Sequence, residues 1–408
     1  VSVQPYRDVL SRPGVRSLII VCLLARIPIT AAPLALTLHV VLDLHRGFAQ
    51  SGLIAGATAI GAALGAPLLG SLMDRLGLRP ILIVTTIAEA AFWLSASHLS
   101  YVPLVPAAFL SGLLALPVFT LARQSLAALL PPEQRQAGYA LDSMAVELSF
   151  AVGPALGVVV ITQTNADVTF NALAALLVAS GLALLRLNPP VHGEDGVDPV
   201  PGARRAPTGP RPGLRDWFGP RVFAVMLATF GATFTLVGTD TAFTATMRSF
   251  DEIPLLGLVT AIWCIASLIG GFVYGMMPRR VDPLIILALL AAFTVPVALA
   301  GNWWVLALLA IPTGLFCAPL ISSTAEELTR VTPATVRGQV MGVHASALTV
   351  GNAVGAPLVG LIVDRSAPEW GFVGIGLCGL AVALIGLAAQ SRRRNQPLPT
   401  STRMASAV

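Results

Sequence analysis

Runs of about twenty or more residues, built mainly from Leu, Ala, Val, Ile and Gly, recur along this 408-residue chain. Each run is long enough, as a helix rising 1.5 Å per residue, to cross a hydrocarbon layer roughly 30 Å thick. Charged residues make up only 11% of the chain, where a soluble domain carries roughly 25%. A chain of this kind must satisfy its backbone polar groups within lipid, and continuous helices do so. Runs bounded by charge, Pro or Gly predict spans near 15–41, 48–72, 80–98, 103–125, 138–163 and 167–187. A second set falls near 220–246, 253–277, 283–301, 303–327, 338–363 and 370–390. The expected fold is an all-α membrane protein with 12 transmembrane helices in two six-helix, pseudo-symmetric bundles. The bundles cover residues 1–187 and 220–390, with a flexible Pro- and Gly-rich linker at 188–219 and a basic tail at 391–408.

All 25 basic residues are Arg, and their placement sets the expected orientation. With the N-terminus inside, the cytoplasmic segments collect nearly all of them, including Arg75, Arg79, Arg279, Arg280, Arg330 and Arg337. The opposite side keeps Arg46, Arg248 and Arg365. This asymmetry places both termini in the cytoplasm of a bacterial-type plasma membrane. It also accounts for the pI of about 9.5 without a nucleic-acid partner, because the arginines lie in short loops between apolar runs. Cys22, Cys264, Cys317 and Cys378 lie singly within apolar runs, so they suggest neither disulfides nor a metal site. The first run, Val15 to Val41, exceeds a signal-peptide core and lacks a well-placed cleavage site, so it is expected to remain as the first span.

The two sets of spans are related by an internal repeat. Arg135 precedes Gly153 by the same interval as Arg337 precedes Gly355. A parallel repeat of six helices points to a transporter whose site lies between the halves. After the second span the chain reads Gly70-Ser-Leu-Met-Asp74-Arg75-Leu-Gly77-Leu-Arg79. This resembles the G-x-x-x-D-R-x-G-x-R signature of the major facilitator superfamily. Here the Gly permits close packing, and the Asp can face a neighbouring helix N-terminus. The fifth span carries Gly153-Pro154-Ala-Leu-Gly157, similar to the antiporter branch's motif, although Ser149 stands in place of its first Gly. Small residues at that spacing are also ordinary helix–helix packing. The R-x-x-x-G setting that many proton antiporters carry inside span 4 is absent, with Ala108 four residues before Gly112.

The resemblance implies proton-coupled efflux of small lipophilic or cationic molecules by alternating access, through a monomer that needs no cofactor or metal. Proton-coupled uptake of a sugar or another nutrient is the alternative. Membrane-buried ionisable groups are costly and tend to mark function. Arg26, Glu89 and Glu147 lie at similar depth in spans 1, 3 and 5, which suggests proton coupling through an Arg26–Glu147 ion pair. Glu89 is the second carboxylate candidate. Asp142, with His344 in the equivalent place of the second half, is expected to meet Arg79 or Arg123 in a gate. By the family's cavity-lining spans, Phe119, Phe234, Asp240, Phe243, Trp263 and Phe316 are candidate substrate contacts. Pro117 and other prolines there suggest bends. The chain has no Lys, so it lacks the phosphate-binding loop of an ATP-driven pump. Its five scattered His form no metalloenzyme motif, which argues against a membrane enzyme. A channel or a non-transporting receptor of the same fold stays open.

Overall fold

The computed structural model describes residues 3–46, 48–191, 217–252 and 255–394. Most of the expected linker and of the tail lies outside these residues. Among the described residues, eleven helices are long and apolar enough to cross a membrane, and a shorter apolar helix covers Pro283–Leu299. They fall in the order expected: Val15–Leu42, Phe48–Leu76, Leu78–Ala96, Tyr101–Leu129, Arg135–Gln163 and Ala166–Leu187 as spans 1 to 6. Pro220–Ser249, Leu256–Met276, Pro283–Leu299, Trp303–Val331, Arg337–Arg365 and Pro368–Arg394 are spans 7 to 12. Large apolar side chains such as Leu24, Leu64, Ile87 and Leu384 are more than half exposed. That surface is stable only against lipid.

Local sequence accounts for the departures from plain helix. Span 4 stops at Leu113 and restarts at Val118, because Pro117 has no amide hydrogen and pushes the preceding residue out of the helical region. The break exceeds the bend expected there. Spans 1 and 10 run unbroken through Pro28, Pro33, Pro312 and Pro319. Span 9 turns from α to 3-10 helix at Val295, one residue before Pro296. The Asn165 and Asn302 side chains cap spans 6 and 10 by accepting the amides of Val168 and Val305. One element was not anticipated: a short helix, Gln4–Ser11, ahead of span 1.

Helix packing repeats between the halves. Span 1 packs on spans 5 and 6, span 2 on 4, and span 3 on 6; span 7 likewise packs on 11 and 12, span 8 on 10, and span 9 on 12. Single contacts repeat too. Thr30 Oγ1 donates to the Ser149 carbonyl at 2.8 Å, and Thr233 Oγ1 to the Leu348 carbonyl at 2.7 Å. Gly112 of span 4 abuts the Thr58 carbonyl of span 2, and Gly314 of span 10 abuts the Trp263 carbonyl of span 8. Arg135 and Arg337 each open a helix of 29 residues.

The halves meet at one end. Because the spans alternate in direction, the end of span 2, the start of span 5, the end of span 8, the last turns of span 10 and the start of span 11 share the side of both termini. The contacts across the seam gather there. Asp74 accepts the Gly338 and Gln339 amides at 3.1 and 3.0 Å, Gln136 Nε2 donates to the Tyr274 carbonyl at 2.6 Å, and Ser322 Oγ bonds Ser143 Oγ at 2.8 Å. The short N-terminal helix joins them, with Tyr6 Oη donating to the Phe272 carbonyl at 2.7 Å. Glycines mark the contrast. A side chain at Gly70, Gly338 or Gly342 would strike the opposite half, whereas Gly52, Gly56, Gly257 and Gly360, toward the other end of spans 2, 8 and 11, face open space. The bundles therefore form a cleft sealed on the side of the termini and open on the other.

Candidate functional site

At the upper edge of the seal lies a buried chain of polar side chains drawn from five spans. Arg26 of span 1 contacts Asp142 of span 5 through Nη2 at 2.6 Å, and both side chains are almost fully buried. The other Asp142 oxygen takes Arg123 Nε of span 4 at 3.4 Å. Arg123 Nη1 lies 3.0 Å from His344 Nδ1 of span 11, and His344 Nε2 lies 3.0 Å from Thr324 Oγ1 of span 10. A guanidinium can only donate, so Nδ1 is an acceptor and the imidazole is neutral, with its hydrogen on Nε2. Thr324 Oγ1 accepts it and passes its own hydrogen to the Ile321 carbonyl at 2.9 Å. The chain thus crosses the seam between Arg123 and His344, joining the two symmetry-related positions, Asp142 and His344. Arg26 also lies 4.9 Å over the Phe119 ring, a cation–π contact. Its Nε and Nη1 have no hydrogen-bond partner among the described residues.

The expected Arg26–Glu147 pair does not form; the partner of Arg26 is Asp142. Depth in the membrane matched all three side chains, but direction around span 5 separates the carboxylates. Asp142, Ser149 and Gly153 are seven and eleven residues apart and share the face against span 1, where Gly153 and Gly157 abut Thr30 and Ala31. Glu147 is five residues beyond Asp142, about 140° around the helix. It continues the stripe of Gln136, Ala140 and Met144 that faces span 8, where Ser267 Oγ meets Glu147 Oε1 at 3.0 Å. Glu89 is separate again. It lies in the first bundle, bonded to Trp93 Nε1 at 2.9 Å, with the Leu116 amide of the span 4 break in reach. The three charges do not share one centre.

The signature residues sit at the base of the seal. Asp74 holds the first amides of span 11 and also accepts Gln124 Nε2 at 3.1 Å. An anion at a helix N-terminus in a partly buried setting contributes up to about 2 kcal/mol. Gly70 allows spans 2 and 11 to touch, and Gly77 breaks the helix at a positive φ of 83°. Arg75 is exposed, and Arg79 reaches Asn188 at 3.3 Å rather than Asp142. Glu326 and Glu327 of span 10 are bound by Arg280, and by Arg221 and Arg330.

The proposed substrate contacts divide. Phe243 is fully buried between Trp263 and Phe372, and Phe234 is buried against Phe230, so these two are core residues of the second bundle rather than faces of the cleft. Phe316 stacks on Phe293 of span 9, and Trp263 donates to Thr313 of span 10 at 3.0 Å. Phe119 lies at the Arg26 cluster. Asp240 is exposed, lining a cavity of about 660 Å³ between the open ends of spans 7 and 11, with Arg248 and Asp364 on its rim.

Two six-helix bundles closing a cleft at one end, with a polar network across the closure, define the architecture of a secondary transporter. The model of the Major Facilitator Superfamily matches residues 18–283 and 225–406, and the chain belongs to that family. No curated protein matches it in sequence. The chain is similar in fold to the human organic anion transporter MFSD10 (TETRAN), with TM-score 0.70, 17% identity, and 92% of this chain and 99% of that one covered. It is similar also to a bacterial homologue of the iron transporter ferroportin in an outward-facing state, with TM-score 0.71, 13% identity, and coverage of 94% and 100%. The E. coli fucose:proton symporter FucP aligns at TM-score 0.65 and 16% identity, over 94% of this chain and 98% of that one. As a family member this chain is a transporter and not an enzyme.

Proposed function

We propose that this protein exports small lipophilic or cationic molecules in exchange for protons, by alternating access, as a monomer in a bacterial-type plasma membrane. The observation that carries the reading is a pair of carboxylates, Glu147 and Asp240. Neither has an ion-pair partner among the described residues. Asp240 lies toward the open end of the cleft and Glu147 in the seam itself, and at each a cation or a proton would supply the missing charge. Glu147 spans the seam through Ser267, so opening the sealed end frees it to the other side. The arginine asymmetry assigns the sealed end to the cytoplasm, and the cleft therefore faces outward, as in the outward-facing ferroportin homologue.

The test uses protein reconstituted in liposomes, with a lipophilic phosphonium cation as probe. Export is expected to follow an imposed proton gradient, and Glu147→Gln should reduce gradient-driven transport at least tenfold while leaving substrate counterflow intact. Gradient-driven transport by Glu147→Gln at the original rate would overturn the coupling role. Counterflow with an organic carboxylate but not with the phosphonium would move the substrate class to anions, with the two unpartnered nitrogens of Arg26 as the reason.

A further inference from the structure

We propose that His344 is a proton-sensitive latch: while the seam is closed its Nδ1 is occupied by Arg123, so proton binding at His344 and closure on the side of the termini exclude one another. The inference rests on the alternating-access reading, but not on substrate or direction. Nδ1 receives a hydrogen from Arg123 at 3.0 Å and Nε2 gives one to Thr324 at 3.0 Å, so the closed state uses both ring nitrogens with the ring neutral. A proton on Nδ1 would set two N–H groups and two positive charges face to face. Among the described residues no uncommitted carboxylate faces them; span 7, packed along span 11, has its one carboxylate, Asp240, toward the open end. From span 4 comes Arg123, and behind it Asp142 of span 5 is already shared between Arg123 and Arg26 of span 1. From span 2, Asp74 is held by the span 11 amides and Gln124. From span 10, Glu326 is bound by Arg280. On span 11 itself the nearest charge toward the seal is Arg337, and the acidic residue of span 12, Glu369, is at the far end.

When the halves part on this side, spans 10 and 11 leave spans 4 and 5. His344 then gains water and can take a proton, while Arg123 keeps Asp142. The protonated imidazole must lose that proton before Arg123 can dock again. Acidity on the side of the termini therefore holds the transporter open to that side.

The experiment measures distance across the sealed end in the full chain in lipid nanodiscs, with spin labels at the exposed positions Leu76 and Met277 of a cysteine-free background. Lowering the pH through the ordinary histidine range, near 6.5, should raise the long-distance population several-fold. His344→Asn keeps an acceptor toward Arg123 and a donor toward Thr324 without a titrating group, and should stay short at every pH. His344→Lys should be long at every pH. A pH response in His344→Asn equal to that of the original protein overturns the proposal, and so does a flat response of the original protein. Repeating the titration in Glu147→Gln separates the two readings: an unchanged response leaves the latch standing whether or not Glu147 carries protons, while a response abolished there but kept in His344→Asn assigns the effect to Glu147.

Discussion

At the scale of the residue, Asp142 is the centre of charge in the polar chain, because it neutralises two buried arginines. Removing one partner of a buried ion pair typically costs 3–5 kcal/mol, since the other charge is left without compensation. Asp142→Ala strands both Arg26 and Arg123, whereas Arg26→Met leaves the Asp142–Arg123 pair in place. Thermal unfolding in detergent should rank the two in that order, with Asp142→Ala the lower in Tm by several degrees. Equal Tm values would mean that Arg123 draws little from Asp142. The sequence brought Arg26, Asp142, Arg123 and His344 into view as charges in apolar runs, with Arg123 as one of two expected partners of Asp142, and the two are in contact. It gave Arg26 the wrong carboxylate, because depth along a helix can be counted from its start, while the partner across a helix pair depends on the direction each side chain takes. The spacing of Asp142, Ser149 and Gly153 on one face was the signal that could have assigned Asp142 to span 1.

At the scale of the element, spans 2 and 11 act as opposed rails, and their glycines record which end is engaged. A side chain at Gly342 would strike the Ala66 carbonyl, whereas one at Gly56 would meet nothing. Gly342→Val should therefore force the sealed end apart, and Gly56→Val should leave this conformation intact while obstructing the one in which the other end closes. The spin-label pair described above reads both, with the long-distance population rising in Gly342→Val and falling in Gly56→Val. The same shift in both variants would contradict a rocking motion about these rails. The Gly-Ala-Pro stretches at 65–67 and 355–357 were visible in the sequence as paired features. The short N-terminal helix was not, because eight residues with mixed polarity carry no span signal; its position is set by Tyr6 reaching the Gly271 and Phe272 carbonyls of the second half.

At the scale of the whole molecule, the arginine asymmetry and the position of the open cleft make a joint prediction about sidedness. Single cysteines at Gly56 and Gly360 should react with a membrane-impermeant maleimide added outside intact cells. A cysteine at Leu76, exposed on the side of the termini, should react only after permeabilisation. Reaction of Leu76→Cys in intact cells would invert the orientation and, with it, the direction assigned to transport.

Span number, order, the repeat and the sealing signature are written in local composition, because hydrocarbon thickness and backbone satisfaction act on each segment separately. Whether Arg26 would meet Asp142 or Glu147, whether Phe243 would line a cleft or fill a core, and which end of the cleft would close depend on how helices rotate and pack against one another. Those choices are made by contacts between residues far apart in the chain, such as Arg123 with His344 and Asp74 with Gly338, and only the assembled bundles contain them.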